Sequence, residues 1–231
     1  MNSYPKSKSV VFLTPPDGKG KRVLDILFRD TDFCERNDLS VVLSSSDHQE
    51  YYKKRGIEAV VTNNVANPVD AIDEVVDDPE YIVACGWPAK IDSETLNFPT
   101  KAALNCHSSY LPDYKGQSVY RVQWAHAEEN GGATIHHMTE ELDEGRIVCR
   151  QQFHISLFDT PFDIMQRYTE LTAALVRESI LLTDTGYEGR DHAGGRYYSK
   201  ISWKKTIAYG IINHILRGIG LDKRLKILPQ R

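Results

Sequence analysis

The sequence lacks the features that mark membrane-spanning, secreted and metal-binding proteins. Its 231 residues contain no apolar run of roughly 18 residues, the length that a spanning helix needs, and its first residues do not resemble a secretory leader. Cysteine is scarce, and the four cysteines have no paired spacing of the kind that binds zinc: Cys34, Cys85, Cys106 and Cys149. We therefore expect a cytoplasmic protein with reduced thiols and no bound metal.

An excess of basic charge is also absent from the chain as a whole. The formal net charge is −4 at pH 7, which argues against a nucleic acid as the partner, because binding to a phosphate backbone requires a basic surface. The charge is unevenly distributed, however. Residues 204–231 carry seven Lys or Arg against one acidic residue, a net of +6, so the preceding 203 residues carry −10. This contrast predicts an interaction surface in the C-terminal segment.

The same segment contains a stripe of apolar residues at approximate helical spacing: Ile207, Ile211, Ile212, Ile215 and Leu216. We predict that this stripe is buried, either against the main domain or in a homodimer, and that the charges stay exposed. Contact with an anionic membrane surface is the alternative.

The first part of the chain alternates short apolar runs with helical patterns. Apolar runs at residues 10–13, 41–43, 59–61 and 81–84 predict strands, and residues 22–34 and 69–76 predict helices. Such strand–helix alternation is typical of an α/β protein with a Rossmann-like, mostly parallel twisted sheet.

Two further helices are predicted downstream. They cover residues 118–128 and 161–182, and the second has Asp159 or Thr160 as its N-cap and Pro161 in its first turn. A cluster of glycines at residues 186–195 then interrupts the pattern. We therefore divide the chain into a main domain at residues 1–185 and a short C-terminal appendage at residues 186–231.

The first predicted strand is followed by a basic, glycine-containing loop. Its residues Lys19, Lys21 and Arg22 match neither a P-loop nor a dinucleotide-binding fingerprint. Backbone N–H groups at the start of a helix, together with basic side chains, can still bind phosphate. A solvated loop without a ligand is the alternative interpretation.

A polar constellation lies in the middle of the chain. Asn105 and His107 are two residues apart in a predicted strand, so their side chains project from the same face. A loop containing Pro112 and Gly116 follows, which puts the pair at the carboxyl end of the strand, where open α/β sheets bind ligands. Asp143 lies in the connector between two later predicted strands, on a loop that can fold over the pair.

The residues around this constellation resemble the formyltransferases that use 10-formyltetrahydrofolate. The resemblance rests on Asn-x-His-x-Ser-x-Leu-Pro-x-Tyr-Lys-Gly at residues 105–116 and on Thr-Ile-His-x-Met-Thr-Glu-Glu-Leu-Asp-x-Gly-x-Ile-Val at residues 134–148. Its strong part covers residues 80–152. The family contains glycinamide ribonucleotide transformylase, methionyl-tRNA formyltransferase and amino-sugar N-formyltransferases. The resemblance therefore implies the formyltransferase fold, a main domain that is catalytic, and formyl transfer to an amine.

The resemblance also implies a role for each matched residue. The catalytic Asn, His and Asp of the family fall on Asn105, His107 and Asp143, which would supply hydrogen-bond donors to the formyl oxygen and a proton route for the amine. The family's folate-pocket segment falls on Cys85, Gly86, Trp87, Pro88 and Ile91, and an additional family histidine on His136, which we assign to the same pocket. No metal is needed for this direct transfer.

Cys106 lies between Asn105 and His107 and is a candidate nucleophile by position alone. Alternation along a strand directs its side chain to the opposite face. We therefore predict that Cys106 is a small buried hydrophobe.

Three interpretations of the function stay open. A nucleotide-linked amino sugar is favoured as the acceptor, because the phosphate loop of glycinamide ribonucleotide transformylases is absent and residues 194–200 resemble a hairpin of the amino-sugar enzymes. The second is a phosphoribosylglycinamide formyltransferase of purine synthesis, and the third is a catalytically silent folate-binding module. Methionyl-tRNA is poorly supported as an acceptor, because its enzymes normally add a larger C-terminal barrel and a basic face.

Overall fold

The computed structural model describes residues 8–221 and 224–230. The first residues of the chain, where a secretory leader was not expected, lie largely outside this range, as do Asp222, Lys223 and Arg231 of the basic C-terminal segment. Within the described residues, no helix is both long enough and apolar enough to cross a membrane.

The described strands include the seven that the sequence predicts and two short ones that it does not. They are β1 (Lys8–Thr14), β2 (Asn37–Leu43), β3 (Glu58–Val61), β4 (Tyr81–Ala84), β5 (Ala102–His107), β6 (Lys115–Gly116), β7 (Asn130–His137), β8 (Ile147–His154) and β9 (Tyr197–Tyr198). The helices are α1 (Gly18–Leu27), α2 (Thr31–Arg36), α3 (Gln49–Lys53), α4 (Val69–Val75), α5 (Ser93–Asn97), α6 (Val119–Ala125), α7 (Pro161–Asp184) and α8 (Trp203–Gly218).

Seven of the described strands form one sheet in the order β3-β2-β1-β4-β5-β7-β8. In this order, neighbouring strands from β3 as far as β5 pair in parallel. Strand β7 pairs antiparallel with both of its neighbours, β5 and β8. The predicted α/β fold with a mostly parallel sheet is therefore confirmed. The central strands read as continuous apolar runs because helices cover both of their faces, and residues 10–13 of β1 have no solvent-exposed surface.

Helix α7 begins where the sequence places its cap. Of the two N-cap candidates, Thr160 is the one used: its hydroxyl accepts from the Asp163 amide, and the Asp163 carboxylate accepts from the Thr160 amide. This reciprocal capping box, with Pro161 in the first turn, fixes the start of the helix. The predicted helix at residues 22–34 is wrong in its extent. The chain instead forms α1 and α2, because the Asp30 side chain accepts from the Phe33 amide and begins a new helix.

The C-terminal segment packs closely on the rest of the molecule. Strand β9 pairs in parallel with β6, which belongs to the loop that follows β5. Helix α8 packs on α6 through Gly210 and Asn213, and its buried residues are Thr206, Gly210 and Asn213. A Cβ atom on Gly210 would lie 1.9 Å from the Trp124 ring, and Asn213 Nδ2 donates to the Ala125 carbonyl at 2.6 Å.

The predicted burial of the isoleucine stripe against the main domain is wrong. Ile207, Ile211, Ile212 and Ile215 are all exposed in the described structure. Small and polar residues form the contact face of α8, because a glycine lets the helix approach the Trp124 ring closely and Asn213 satisfies backbone groups that the contact buries.

Candidate active site

Asn105 and His107 lie at the carboxyl end of β5 and line the same cavity, whose volume is about 870 Å³. Cys106, between them, packs its side chain in the hydrophobic core, where its Sγ atom lies 3.4 Å from Cys85 Sγ. Burial raises the pKa of the Cys106 thiol well above its ordinary value. The strand therefore presents the amide and the imidazole to the cavity and keeps the thiol protonated.

His107 is held between two hydrogen-bond acceptors. Its Nδ1 atom lies 3.2 Å from Asp143 Oδ1, and its Nε2 atom lies 2.8 Å from the carbonyl oxygen of Tyr114. A carbonyl oxygen and an ionised carboxylate can only accept hydrogen bonds, so both ring nitrogens of His107 face acceptors. The contact with Asp143 joins the imidazole on β5 to the connector between β7 and β8.

Asp143 is buried and remains ionised. Burial by itself would raise the pKa of its carboxyl group, but the neighbouring imidazole groups of His107 and His136 outweigh burial and hold the pKa well below its usual range. The second carboxylate oxygen accepts a hydrogen bond of 2.7 Å from the Gly116 amide. Asp143 itself has a left-handed backbone with φ of 57°, a conformation that aspartate adopts more readily than most residues.

His136 orients Asn105. The amide Nδ2 of Asn105 lies 3.0 Å from His136 Nε2, and His136 Nδ1 lies 2.8 Å from the carbonyl of His137. A carbonyl cannot donate, so Nδ1 carries the proton and Nε2 accepts from the Asn105 amide. The second N–H of that amide stays available to a ligand in the cavity.

The segment after β4 was predicted to form the folate pocket. Gly86, Trp87, Pro88 and Ile91 line the cavity, and the indole N–H of Trp87 donates to the carbonyl of Val65 at 2.8 Å. The Cys85 side chain points instead into the core, and its carbonyl oxygen accepts from Thr14 Oγ1. A largely apolar wall of the cavity is thus formed by Gly86, Trp87, Pro88, Ile91, Leu96 and Met138.

The C-terminal segment also contributes residues to the cavity. The Lys115 amide donates to the Arg196 carbonyl, and the Gln117 amide donates to the Tyr198 carbonyl. Gly116 allows this contact, because its φ is 111° and a Cβ atom there would lie 2.0 Å from Tyr198 O. Residues that follow β9 then line the cavity: Lys200, Ile201, Ser202 and Trp203.

The three basic side chains of the loop after β1 have different surroundings. Lys19 reaches into the cavity, and its Nζ atom lies 3.1 Å from Ser108 Oγ. Lys21 pairs with Asp25 at 2.7 Å, and Arg22 lies over the Phe162 ring, 5.2 Å from its centroid. Of the three cations, Lys19 alone lines the cavity.

The sequence pattern did not identify Arg121 and Trp203 as site residues. Arg121 is 5% exposed and lines the cavity, with its guanidinium 4.8 Å from the centroid of the Trp203 ring. Helix α6 is buried on most of its surface, so no amphipathic pattern singles out one of its residues. The one sequence feature that could have indicated Arg121 is its position as the single charged residue within this apolar helix.

A family model described as "Formyl transferase" matches residues 36–180. The chain therefore belongs to the formyltransferase family, as the two motifs at residues 105–116 and 134–148 predicted. Among the described residues, no group of three or more His, Cys, Asp or Glu is arranged to hold a metal ion.

The methionyl-tRNA formyltransferase of Thermotoga maritima is 28% identical over 132 residues, which are 56% of this chain and 42% of that enzyme. This chain thus spans less than half the length of the curated relatives it matches. Glycinamide ribonucleotide transformylase 1 from Symbiobacterium toebii superposes with a TM-score of 0.67 at 20% identity, over 78% of this chain and 89% of that one.

The N-formyltransferase from Helicobacter canadensis, solved with folinic acid and dTDP-3-aminofucose, superposes with a TM-score of 0.64 at 18% identity. The superposition covers 93% of this chain and 83% of that one. At these identities, the two superpositions establish a shared fold.

Proposed function

We propose that this protein transfers the formyl group of 10-formyltetrahydrofolate to a primary amine. The proposal rests on one observation: Asn105, His107 and Asp143 line the same cavity, and His107 contacts Asp143 directly. These groups match the needs of acyl transfer, which are hydrogen-bond donors for a carbonyl oxygen that gains negative charge and an acceptor for the proton of the amine.

In the proposed reaction, the amine nitrogen bonds to the formyl carbon, and the bond from that carbon to the folate nitrogen breaks. The free N–H of Asn105 and the imidazole of His107 stabilise the negative charge that develops on the formyl oxygen. The amine loses one proton and the departing folate nitrogen gains one. Asp143, beside His107, is the nearby ionised carboxylate that can accept the first proton.

The cavity suits a folate in size and in the character of one wall. Its volume of about 870 Å³ falls within the range of roughly 300–1,000 Å³ that is usual for small-molecule sites. Trp87, Pro88 and Ile91 provide apolar surface for a flat heterocycle, next to the Asn105 and His136 side chains. The pterin ring is therefore assigned to this side of the cavity.

For the acceptor, we propose a nucleotide-linked amino sugar. The cavity is also lined by Tyr120, Tyr197 and Trp203, which offer aromatic surface beside the apolar folate wall. The superposition on the Helicobacter canadensis enzyme, solved with a nucleotide-linked amino sugar, covers 93% of the chain, compared with 78% for the glycinamide ribonucleotide enzyme.

The test is incubation of the purified protein with 10-formyltetrahydrofolate and separate amines, followed by mass spectrometry of each amine. The amines are nucleotide-linked 3-amino and 4-amino sugars, glycinamide ribonucleotide and unformylated initiator methionyl-tRNA. We expect the mass gain of one carbonyl unit on an amino sugar and no gain with the His107→Asn variant. Modification of glycinamide ribonucleotide alone would refute the sugar assignment, and folate binding without transfer to any amine would favour the silent module.

A further inference from the structure

Exposed apolar side chains are concentrated in the C-terminal segment. Thirteen large hydrophobic residues are exposed among the described residues, and nine of them lie between positions 203 and 228. Five of these nine belong to helix α8: Trp203, Ile207, Ile211, Ile212 and Ile215. Single exposed hydrophobic residues are ordinary on a protein surface, whereas a cluster of them marks a place of contact with a partner or a membrane.

The isoleucines of α8 share one side of the helix. Ile207, Ile211 and Ile215 are spaced four residues apart, so their side chains lie one above the other. Gly210 and Asn213, which pack on α6, lie on the opposite side. The helix is therefore attached to the domain through its small and polar side, and its apolar side faces solvent. Folding of the domain does not account for this apolar side.

Two lysines lie at the beginning of the exposed side. Lys204 and Lys205 are exposed in the first turn of α8, where the helix dipole disfavours positive charge, and the helix contains no acidic residue. Other cations of the segment are engaged within the protein: Arg217 donates to two backbone carbonyls, and Lys226 pairs with Glu128 at 3.2 Å. The exposed side of α8 thus combines apolar surface with positive charge that the helix itself does not neutralise.

Charge distinguishes a lipid surface from a second copy of the chain as the occupant of this face. A two-fold dimer through α8 would bring the same surface of both copies together, and neither helix would offer a carboxylate to Lys204 and Lys205. An anionic lipid surface attracts both lysines and takes up the isoleucines at the boundary of its acyl chains. It also suits Trp203, because tryptophan is enriched at the level of the lipid headgroups.

We propose that helix α8 binds to the surface of a membrane that contains anionic lipids. The helix lies parallel to the membrane, because its 16 residues are fewer than the roughly 20 that a spanning helix needs. The isoleucines enter the boundary between headgroups and acyl chains, and Lys204 and Lys205 contact the lipid phosphates. Trp203 also lines the cavity, so the membrane-binding face begins at the edge of the proposed transfer site.

Sedimentation with lipid vesicles tests the apolar part of this face. The intact protein is mixed with vesicles of phosphatidylglycerol and phosphatidylcholine in equal parts, in parallel with Ile215→Gln and Leu181→Gln. Both side chains are 59% exposed, and Leu181 lies on α7, so the control removes a similarly exposed apolar side chain elsewhere. We expect binding at least about fivefold weaker in Ile215→Gln and unchanged in Leu181→Gln. Glutamine is a good helix former, so circular dichroism should show the same helix content in all three proteins.

A second pair of variants tests the charge. Lys204→Gln/Lys205→Gln is compared with Lys53→Gln/Lys54→Gln, which removes two adjacent exposed lysines at the end of α3. On the anionic vesicles, we expect binding about fivefold weaker for each lysine removed from α8, and unchanged binding in the α3 variant. Binding of the unmodified protein should decrease as salt is added, because salt screens the attraction, and should be weaker on pure phosphatidylcholine.

Three results would overturn the proposal. They are no binding of the unmodified protein to anionic vesicles, equal binding to anionic and neutral vesicles, and equal losses in Ile215→Gln and Leu181→Gln. Light scattering without lipid examines the other occupant: a dimer that Ile215→Gln dissociates, together with no vesicle binding, assigns the face to a second copy. Vesicle binding is measured without substrates, so a failure of formyl transfer leaves this inference standing.

Discussion

Asp143 Oδ1 lies 3.2 Å from His107 Nδ1, and both residues are almost completely buried. The contact joins the carboxyl end of β5 to the connector between β7 and β8, two places that neither strand pairing nor local sequence brings together. The same carboxylate also accepts from the Gly116 amide. One aspartate thus fixes the imidazole, the connector and the loop after β5 in a single arrangement.

Replacement of this carboxylate should abolish most of the transfer activity. In Asp143→Asn, the imidazole loses its ionic partner and the amine loses a proton acceptor, while the amide oxygen can still accept from Gly116. We expect turnover to fall at least about 10²-fold, the scale of positioned proton transfer, with folate affinity within a few-fold of normal. Single-turnover formyl transfer and folate titration measure the two quantities.

Cys106→Ala is the matched control for this experiment, since it alters the residue next to His107 on the opposite face of β5. It should retain turnover. Near-normal turnover of Asp143→Asn would remove the carboxylate from the mechanism, and loss of chemistry in a folded Cys106→Ala protein would restore the thiol as a candidate nucleophile.

A methyl group at Gly116 should separate the C-terminal segment from the active-site loop. The added Cβ would lie 2.0 Å from Tyr198 O, in a backbone with φ of 111°. We expect Gly116→Ala to lower the free energy of unfolding by about 2–4 kcal/mol, because it combines backbone strain with a clash. Turnover should fall as well, since the Gly116 amide loses its position on Asp143.

Gly186→Ala provides the comparison for strain alone. Gly186 also has a positive φ, of 81°, but a Cβ atom there would have no neighbour within 4 Å. Its cost should be about 1–2 kcal/mol, and turnover should be unchanged. Urea unfolding and turnover assays on both variants check the pair, and equal losses in the two would contradict a specific contact between Gly116 and β9.

Sequence reasoning identified the sheet because its central strands are buried on both faces and read as apolar runs. It identified Asn105 and His107 because residues two apart on a strand share a face. The pairing of β6 with β9 could not be predicted, since strands of two residues carry no periodicity and their contact depends on backbone groups. The buried face of helix α8 was predicted wrongly for a related reason. Its contact face contains a glycine and an asparagine, so a pattern based on hydrophobicity selects the opposite, exposed face.

His126 should make the attachment of the C-terminal segment sensitive to acid. Its Nε2 atom accepts from the Ile227 amide at 2.8 Å, and Nδ1 lies 2.9 Å from the Tyr114 hydroxyl, which in turn donates to Glu128. Burial and the charge of Lys226 lower the pKa of His126 to about 4, and Glu128 opposes them. Protonation of Nε2 would remove the acceptor for Ile227 and weaken the attachment of the segment that follows α8.

The lowered pKa sets the pH window of this effect. Above the ordinary pKa of about 6.5, His126 is neutral in both the folded and the unfolded protein, so its contribution to stability is fully present. As the pH falls from about 6.5 toward 4, the unfolded chain binds a proton that the folded protein excludes, and stability is lost. We expect a loss on the order of 2–3 kcal/mol across this window.

Urea unfolding between pH 7.5 and 4.5 measures this loss when the unmodified protein is compared with His126→Gln. Glutamine can accept from the Ile227 amide without titrating, so the variant should show a smaller decrease in stability over the same window. Tyr114→Phe is the control: it removes the hydroxyl beside Nδ1 but keeps the titrating ring, so it should lower stability at every pH and retain the slope. A slope that is identical in the unmodified protein and in His126→Gln would assign the acid sensitivity to other groups.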